Sequence, residues 1–507
     1  MTQLVWFKRD LRTQDNEALF RAAENGPVLP LYIIEPGLWR QPDMLGRHWA
    51  FLRENLLSLH AALAQLGQPL VVRRGEATEV LRSIAERHRI QAVWSHQETG
   101  NDWTFRRDEA VADLLKDIGI PWHQPRQHGV VRGNPDRDTW SRQWERLMVS
   151  GLYRPPALEP LPEIHPGEIP QEPIPDLIPD DCPGRQQGGR LSAEKNLSSF
   201  LTVRGERYHS EMSSPLTATD SCSRLSPHLA WGTISMREVV QATRRRRSQI
   251  KELPTSQRGT WGRALASFEG RLHWHCHFMQ KLETEPRVEF ENMQRALDGL
   301  REKATDPVRL RAWQTGHTGW PFVDACMRAL AHDGWINFRM RAMLVSVASY
   351  QLWLHWREPA LHLARLFVDY EPGIHYPQVQ MQSGTTGINS LRIYNPIKQS
   401  VDQDPDGRFI RAWVPELAGI DSSSIHNPWL MSESEQRRCG LRIGEHYPAP
   451  LVDHQEAARE ARRQIQGARS GADARTQSRE IYDRQGSRKR TQRRSRKKPS
   501  QTSLDFS

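Results

Sequence analysis

The stretch SRLSPHL, Ser223 to Leu229, sets hydroxyls and backbone N–H groups directly before a helical pattern. A helix start presents unpaired N–H donors and a partial positive charge, which suits a diphosphate. Taken alone, the stretch reads equally well as an ordinary helix N-cap. A second stretch, DYEPGIHYPQVQMQSGTTGIN from Asp369 to Asn389, follows apolar helical sequence. It carries an acid pair, the lone His375, two Pro, three Gly and several amides, so a long polar loop is expected. The chain also has 18 Trp against 9 Tyr and 13 Phe. Trp is large and flat, and serves either to stack a planar ligand or to fill a core.

These residues need a frame. With 507 residues the chain is long enough for two or more domains and a sizeable core. Over residues 1–130, short apolar runs such as LVWF and VLPLYII alternate with helical patterns such as RHWAFLRENLLSLHAALAQLG. That alternation predicts an α/β parallel-sheet, Rossmann-like domain, whose ligands sit beyond the carboxyl ends of the strands. No G-x-G-x-x-G follows the first strand, so a dinucleotide fingerprint is absent. Residues 131–195 form a connector, Pro-rich from about 155, that crosses between domains. Residues 196–452 read as an all-α domain.

From 453 to 507 large apolar residues are sparse and Arg, Lys, Ser and Gln abound, so a disordered basic tail is expected. The net charge of +10 suits a polyanion, and much of the excess lies in that tail. The five cysteines are odd in number and scattered, with no C-x-x-C. This argues for a reducing, cytoplasmic setting and against a metal site. No apolar run is long enough to span a bilayer.

Four stretches in order carry a resemblance: VWFKRDLRTQDNEAL near the N-terminus, SRLSPHLAWGTIS, GHTGWPFVDACMRALAHDGWINFRMR, and RIYNPIKQSVDQDPDGRFIRAWVPEL. Together the chain resembles the DNA photolyase and cryptochrome family to about residue 450. The resemblance implies an α/β antenna domain followed by a helical domain that holds FAD in a cavity. It implies a blue-light-driven lyase that splits pyrimidine dimers flipped out of DNA, or a cryptochrome-like photoreceptor that binds FAD without repair. A pyrimidine dimer must leave the stack to be reached, and its damaged pairing lowers the cost.

Carried over residue by residue, Tyr208, Phe268, Arg339 and Arg341 belong to the flavin pocket, with Asp369 as partner of Arg341. Cys222, Ser223, Arg224, Leu225 and Ser226 form the phosphate turn, with Cys where the family usually has Thr. Tyr370 and Glu371 stand where Gly-Asp is usual. His375 takes the place facing the reactive flavin nitrogen, where repair enzymes commonly hold Asn; there it either titrates near neutral pH or stays a neutral hydrogen-bonding group. Trp274 matches the ring that stacks on the lesion. Arg271, His275, Asn337 and Phe338 fall among the DNA-contacting positions, with Arg271 where enzymes for cyclobutane dimers have Glu.

Trp356 matches the middle member of the family's electron relay. Val379 replaces the flavin-proximal Trp and Lys303 stands near the distal place, leaving Trp313, Trp320, Trp335 and Trp353 as alternative carriers. Arg9, Asp10 and Asn16 belong to a largely architectural signature. Glu98, Thr99 and Gly100 fall where an antenna chromophore, a pterin or a deazaflavin, would bind. The terminal QTSLDF, Gln501 to Phe506, resembles peptides that dock on the sliding clamp, and a monomer is expected.

Overall fold

The computed structural model describes residues 1–133, 135–175, 177–301 and 306–487. Lys303 and the terminal QTSLDF lie outside the described residues. Five parallel strands, β1 (Thr2–Phe7), β2 (Val28–Ile34), β3 (Val71–Arg74), β4 (Ile90–Trp94) and β5 (Trp122–His123), form one sheet in the order β3-β2-β1-β4-β5. Every residue of β2 is buried, as expected of a parallel sheet covered on both faces. The helices Gly46–Leu66 and Asp102–Asp117 are among those that connect the strands. The strand order reverses at β1, so the loops after β1 and β4 frame a crevice at the carboxyl ends.

After the sheet the described chain is helical apart from the irregular connector between Val149 and Arg190, with no further strand among the described residues. Its longest helix, Trp261–Thr284, buries Trp261, Ala264, Leu265, Phe268, Leu272, Cys276 and Met279 along one stripe at the helical period. Ser235 starts the helix Met236–Glu252 with a capping box to Glu238. Asn16, from the N-terminal signature, caps the helix Glu17–Asn25 by accepting from Leu19 N at 2.9 Å. Arg12 donates to Gly232 O at 3.0 Å, and Asp15 accepts from Ser235 Oγ and pairs with Arg237. The signature thus joins the two domains.

Three expectations need correction. The segment from Asp369 is mostly a helix, Pro372–Ser383, with Pro372 in its first turn and Gly384 ending it in the left-handed conformation at φ 78°. Its interior is polar because Gln380 is satisfied by neighbours: it donates to Val288 O at 2.8 Å and Glu291 O at 2.6 Å and accepts from Met293 N at 2.7 Å. The connector contains a further helix, Arg137–Val149, whose Trp140, Trp144 and Met148 are buried. Finally, residues 454–485 of the expected disordered tail form two helices, His454–Arg469 and Ala472–Gln485. They need no core of their own, because Ala461 and Ile465 pack on Tyr350 while Ile481 joins Leu282, Val288 and Met293. Gln294 donates to Ala474 O and Ala296 N donates to Gln477, each at 2.8 Å. No helix among the described residues is long and apolar enough to cross a membrane.

Candidate flavin site

Arg341, on the helix Phe338–Ser346, donates in a two-pronged fork to Asp369, at 3.0 Å to Oδ1 and 2.8 Å to Oδ2. Its Nε donates to Ile336 O at 2.7 Å and its guanidinium lies 4.1 Å over the Phe367 ring. The pair is oriented by three independent contacts, and the Asp369 side chain is only 3% exposed. Breaking a buried pair strands the remaining charge, so both members are held.

The turn 222–226 is influenced by four guanidinium groups, one of them, Arg224, its own. The Cys222 thiol is pushed up to about 11 by burial, against the opposing pull of Arg224, Arg204, Arg271 and Arg341. Arg204 ends a π-helical turn, Phe200–Arg204, and takes the carbonyls of Cys222 and Ser223. Arg224 has a left-handed backbone, φ 57°, uncommon for a residue with a side chain. Gln186 holds it there, donating to Arg224 O at 3.0 Å and accepting from its Nε at 3.2 Å. The Arg224 guanidinium stacks 4.1 Å over Trp335. Leu225 is buried and Ser226 begins the short helix Ser226–Ala230. Such a concentration of positive charge fits an anionic ligand such as a diphosphate.

One wall of the site is aromatic. Tyr208 and Phe268 meet edge to face at 5.9 Å and both pack on Phe200. Burial raises the Tyr208 phenol's pKa, and the Arg271 guanidinium interacts with its hydroxyl. Arg271, itself exposed, lies 5.6 Å from the Phe338 ring, which is 42% exposed. These two residues stand on the open rim. Trp274 is half-buried, against His277 and Phe278 of its own helix.

Two expected DNA contacts face inward instead. Asn337 is 2% exposed and its amide donates to Met212 O at 3.0 Å and Ser213 O at 2.7 Å, so it fixes the chain that leads to the turn 222–226. His275 lines the crevice between the domains together with Arg9, His128 and Glu371. His375 does not titrate near neutral pH: burial pushes it down to about 4, and its Nε2 lies 2.9 Å from Ala360 O. It is the neutral, hydrogen-bonding histidine of the two readings, packed by Phe367, Tyr370 and Tyr376.

Arg339 Nε and Glu371 Oε1 are buried without a hydrogen-bond partner. Burial pushes Glu371 up to about 7, although Arg9 donates to its other oxygen at 3.2 Å. Unpaired buried donors and acceptors are costly, and a polar flavin is a group that would satisfy them. The residues present therefore fit FAD.

Among the relay positions, Trp356 is buried and donates to Asn292 at 2.8 Å, while Val379 lies in the core. Trp313 and Trp320 are core residues and Trp353 lies 5.1 Å beneath Arg301. At the sheet's carboxyl ends, Glu98 and Gly100 line a crevice with Lys8, Arg9, Tyr32 and Arg107. Thr99 lines the adjoining crevice and donates to Glu283 at 2.7 Å. Among the described residues no cluster of His, Cys, Asp and Glu is arranged for a metal ion.

Sequence reasoning missed Gln186, Arg204 and Phe367, and named Trp335 only as an alternative electron carrier. Arg204 carried a weak signal, a basic residue one turn before Tyr208. Gln186 carried none, since it lies in the irregular connector.

Residues 3–136 match the DNA photolyase family model and residues 268–467 match the FAD binding domain of DNA photolyase. The deoxyribodipyrimidine photo-lyase of Streptomyces griseus is 31% identical, over 90% of this chain and 97% of that one. A cryptochrome DASH of Gloeobacter violaceus is 30% identical, over 89% of this chain and 93% of its own. The crystal structure of a bacterial class III photolyase from Agrobacterium tumefaciens superimposes with a TM-score of 0.79 at 26% identity, covering 93% of this chain and 98% of that one. From the paired sheet and helical domains and these matches, the chain belongs to the DNA photolyase and cryptochrome family.

Proposed function

We propose that this protein is an FAD-dependent, blue-light-driven DNA repair lyase of the deoxyribodipyrimidine photolyase type. The observation that carries the reading is the turn 222–226 with Arg204 bonded to its carbonyls and Arg224 within it, together with the Arg341–Asp369 fork. The turn and its arginines hold the diphosphate, and Tyr208 and Phe268 form the apolar wall. Asp369, Tyr370, Glu371 and His375 border the ring system, with His375 neutral. Bound and reduced, FAD supplies the light-excited electron that splits a pyrimidine dimer. The exposed Arg271 and Phe338, with Trp274, receive the flipped bases by charge and stacking. A second chromophore, a pterin or a deazaflavin, occupies the crevice of Arg9, Glu98 and Gly100. The protein acts as a cytoplasmic monomer, and its terminal peptide docks on the sliding clamp.

The alternative is a cryptochrome-like photoreceptor, favoured by Asn337, whose amide is committed to the protein interior. The deciding experiment illuminates the reduced, FAD-loaded protein with oligonucleotides carrying a cyclobutane dimer or a (6-4) lesion. Light-dependent restoration of one lesion is expected. Flavin without restoration of either lesion overturns the repair reading and leaves the photoreceptor.

A further inference from the structure

Tyr370 and Asp43 meet at the junction of the two domains, beside the candidate flavin site. Tyr370 is 2% exposed and its hydroxyl donates to Asp43 Oδ2 at 2.6 Å. Asp43, also 2% exposed, lies in the loop between β2 and the helix Gly46–Leu66. Asn101 donates to the same oxygen at 3.2 Å, and Asp43 Oδ1 is buried without a partner. The Tyr376 hydroxyl lies 3.2 Å from that of Tyr370. The single proton of Tyr370 faces the carboxylate, so Tyr376 donates to Tyr370. The Tyr370 ring is 5.3 Å from His375, and Tyr370 follows Asp369, the partner of Arg341.

We propose that Tyr370 and Asp43 form a proton-coupled redox pair that donates an electron to the light-excited, oxidised flavin. The inference rests on the FAD reading above. One electron leaves the Tyr370 phenol for the flavin, and the phenolic proton moves along its existing hydrogen bond to Asp43 Oδ2. The O–H bond of Tyr370 breaks and an O–H bond on Asp43 forms. A soluble thiolate then gives one electron to the tyrosyl radical, leaving a thiyl radical that pairs with a second to form a disulfide, and the proton returns from Asp43 to the Tyr370 oxygen.

A buried phenol cannot be oxidised to a neutral radical unless a base takes its proton, and Tyr370 is buried with Asp43 as its hydrogen-bond acceptor. A carboxylate with one unsatisfied oxygen is such a base. Burial and the adjacent Asp43 hold the phenol well above its ordinary pKa, so the proton stays on oxygen until the electron leaves. The pair also compensates for a gap. Val379 stands where a tryptophan beside the flavin is expected, and Trp356 is fixed on Asn292 with His355 as its aromatic neighbour at 5.5 Å. Tyr370 is closer in the chain to the flavin-bordering residues than any of the alternative tryptophans.

A purely structural strut would show the same hydrogen bond, so the test reads the radical. The full chain is loaded with FAD, its flavin band recorded, and the oxidised protein flashed with blue light. A tyrosyl radical is expected by electron paramagnetic resonance and transient absorption, slower to form in D2O. Ring-deuterated tyrosine narrows its spectrum in the unsubstituted protein, which identifies the species without a variant. Tyr370→Phe abolishes the signal. Asp43→Asn lowers the yield by about a hundredfold or more, the scale of losing a positioned base, and Asp43→Glu restores part of it. Radical yields are expressed per bound flavin in each variant, which separates these losses from a damaged site. Absence of a flavin band overturns both the FAD reading and this inference. A normal flavin band with no tyrosyl radical, or a radical unchanged in Tyr370→Phe, overturns this inference alone.

Discussion

Asp369 holds Arg341 in a geometry that leaves neither group an easy substitute. Asp369→Asn keeps the shape but loses the charge and one acceptor, so Arg341 remains with its two contacts to Ile336 and Phe367. Because Arg341 is partly open, at 24% of its side chain, the cost falls near the low end for a broken buried pair, about 3 kcal/mol. Urea unfolding of the flavin-free variant is expected to show that loss, and an unchanged midpoint would remove the pair from the stability of the site.

The histidines give a second residue-level prediction. Burial lowers His48, His228, His275, His362 and His375 from 6.5 to about 4. The unfolded chain takes up these protons below about pH 6.5, whereas the folded chain resists until about pH 4. Stability is therefore full above pH 6.5 and falls as the pH drops toward 4, by about 1.4 kcal/mol per unit for each such group. His375→Gln keeps a donor for Ala360 O but cannot titrate, so its unfolding free energy should fall less steeply over that window. A slope identical to that of the unsubstituted protein would contradict the burial of His375 as a neutral group.

Among the elements, the C-terminal helix Ala472–Gln485 depends on few contacts. Ile481 is its apolar anchor, and Gln485 donates to Glu285 at 2.5 Å. Ile481→Ala removes that anchor at a cost of roughly 2–4 kcal/mol. The helix should then be cut by protease while the chain before residue 453 stays intact; resistance equal to the unsubstituted chain would show that Ile481 is not what holds it.

The turn at Gly232 is more demanding. Its φ of 65° is left-handed, and an added Cβ would stand 2.2 Å from Arg9 O. Gly232→Ala forces the two domains apart at the Arg12 contact and is expected to cost at least about 2 kcal/mol. Thermal unfolding would register this as a lowered midpoint.

These elements show what the sequence can disclose. The strands and long helices were legible because their apolar period is set by burial on one or both faces. The helix Pro372–Ser383 was not, because Gln380 and its neighbours replace an apolar stripe with hydrogen bonds to distant residues. Pro372 and Gly384 did mark its ends. The tail helices were hidden for a related reason: two or three apolar residues suffice when the surface they dock on is already built. Within the site, Arg341 and Asp369 were legible through the family resemblance. The burial of Asn337 and the turn of His275 into the crevice were not, since helix rotation is fixed by packing that no local spacing reports.

At the scale of the whole molecule, an α/β domain and a helical domain are locked through Arg12, Asp15, Arg237 and Tyr370. The lock places the sheet's carboxyl ends, with their charged crevice, beside the helices that border the flavin site. Light gathered in one domain would thus have a short path to the other. The exposed Arg271 and Phe338 leave an open rim through which a flipped base would enter, and the basic balance of the chain favours a polyanionic substrate. All of this depends on one cofactor in one place. The direct measurement is the flavin released by denaturing the purified protein, identified and counted per chain. The account predicts FAD at close to one per chain, falling in Asp369→Asn. A protein that takes up no flavin, even when unfolded and refolded with excess FAD, would contradict it.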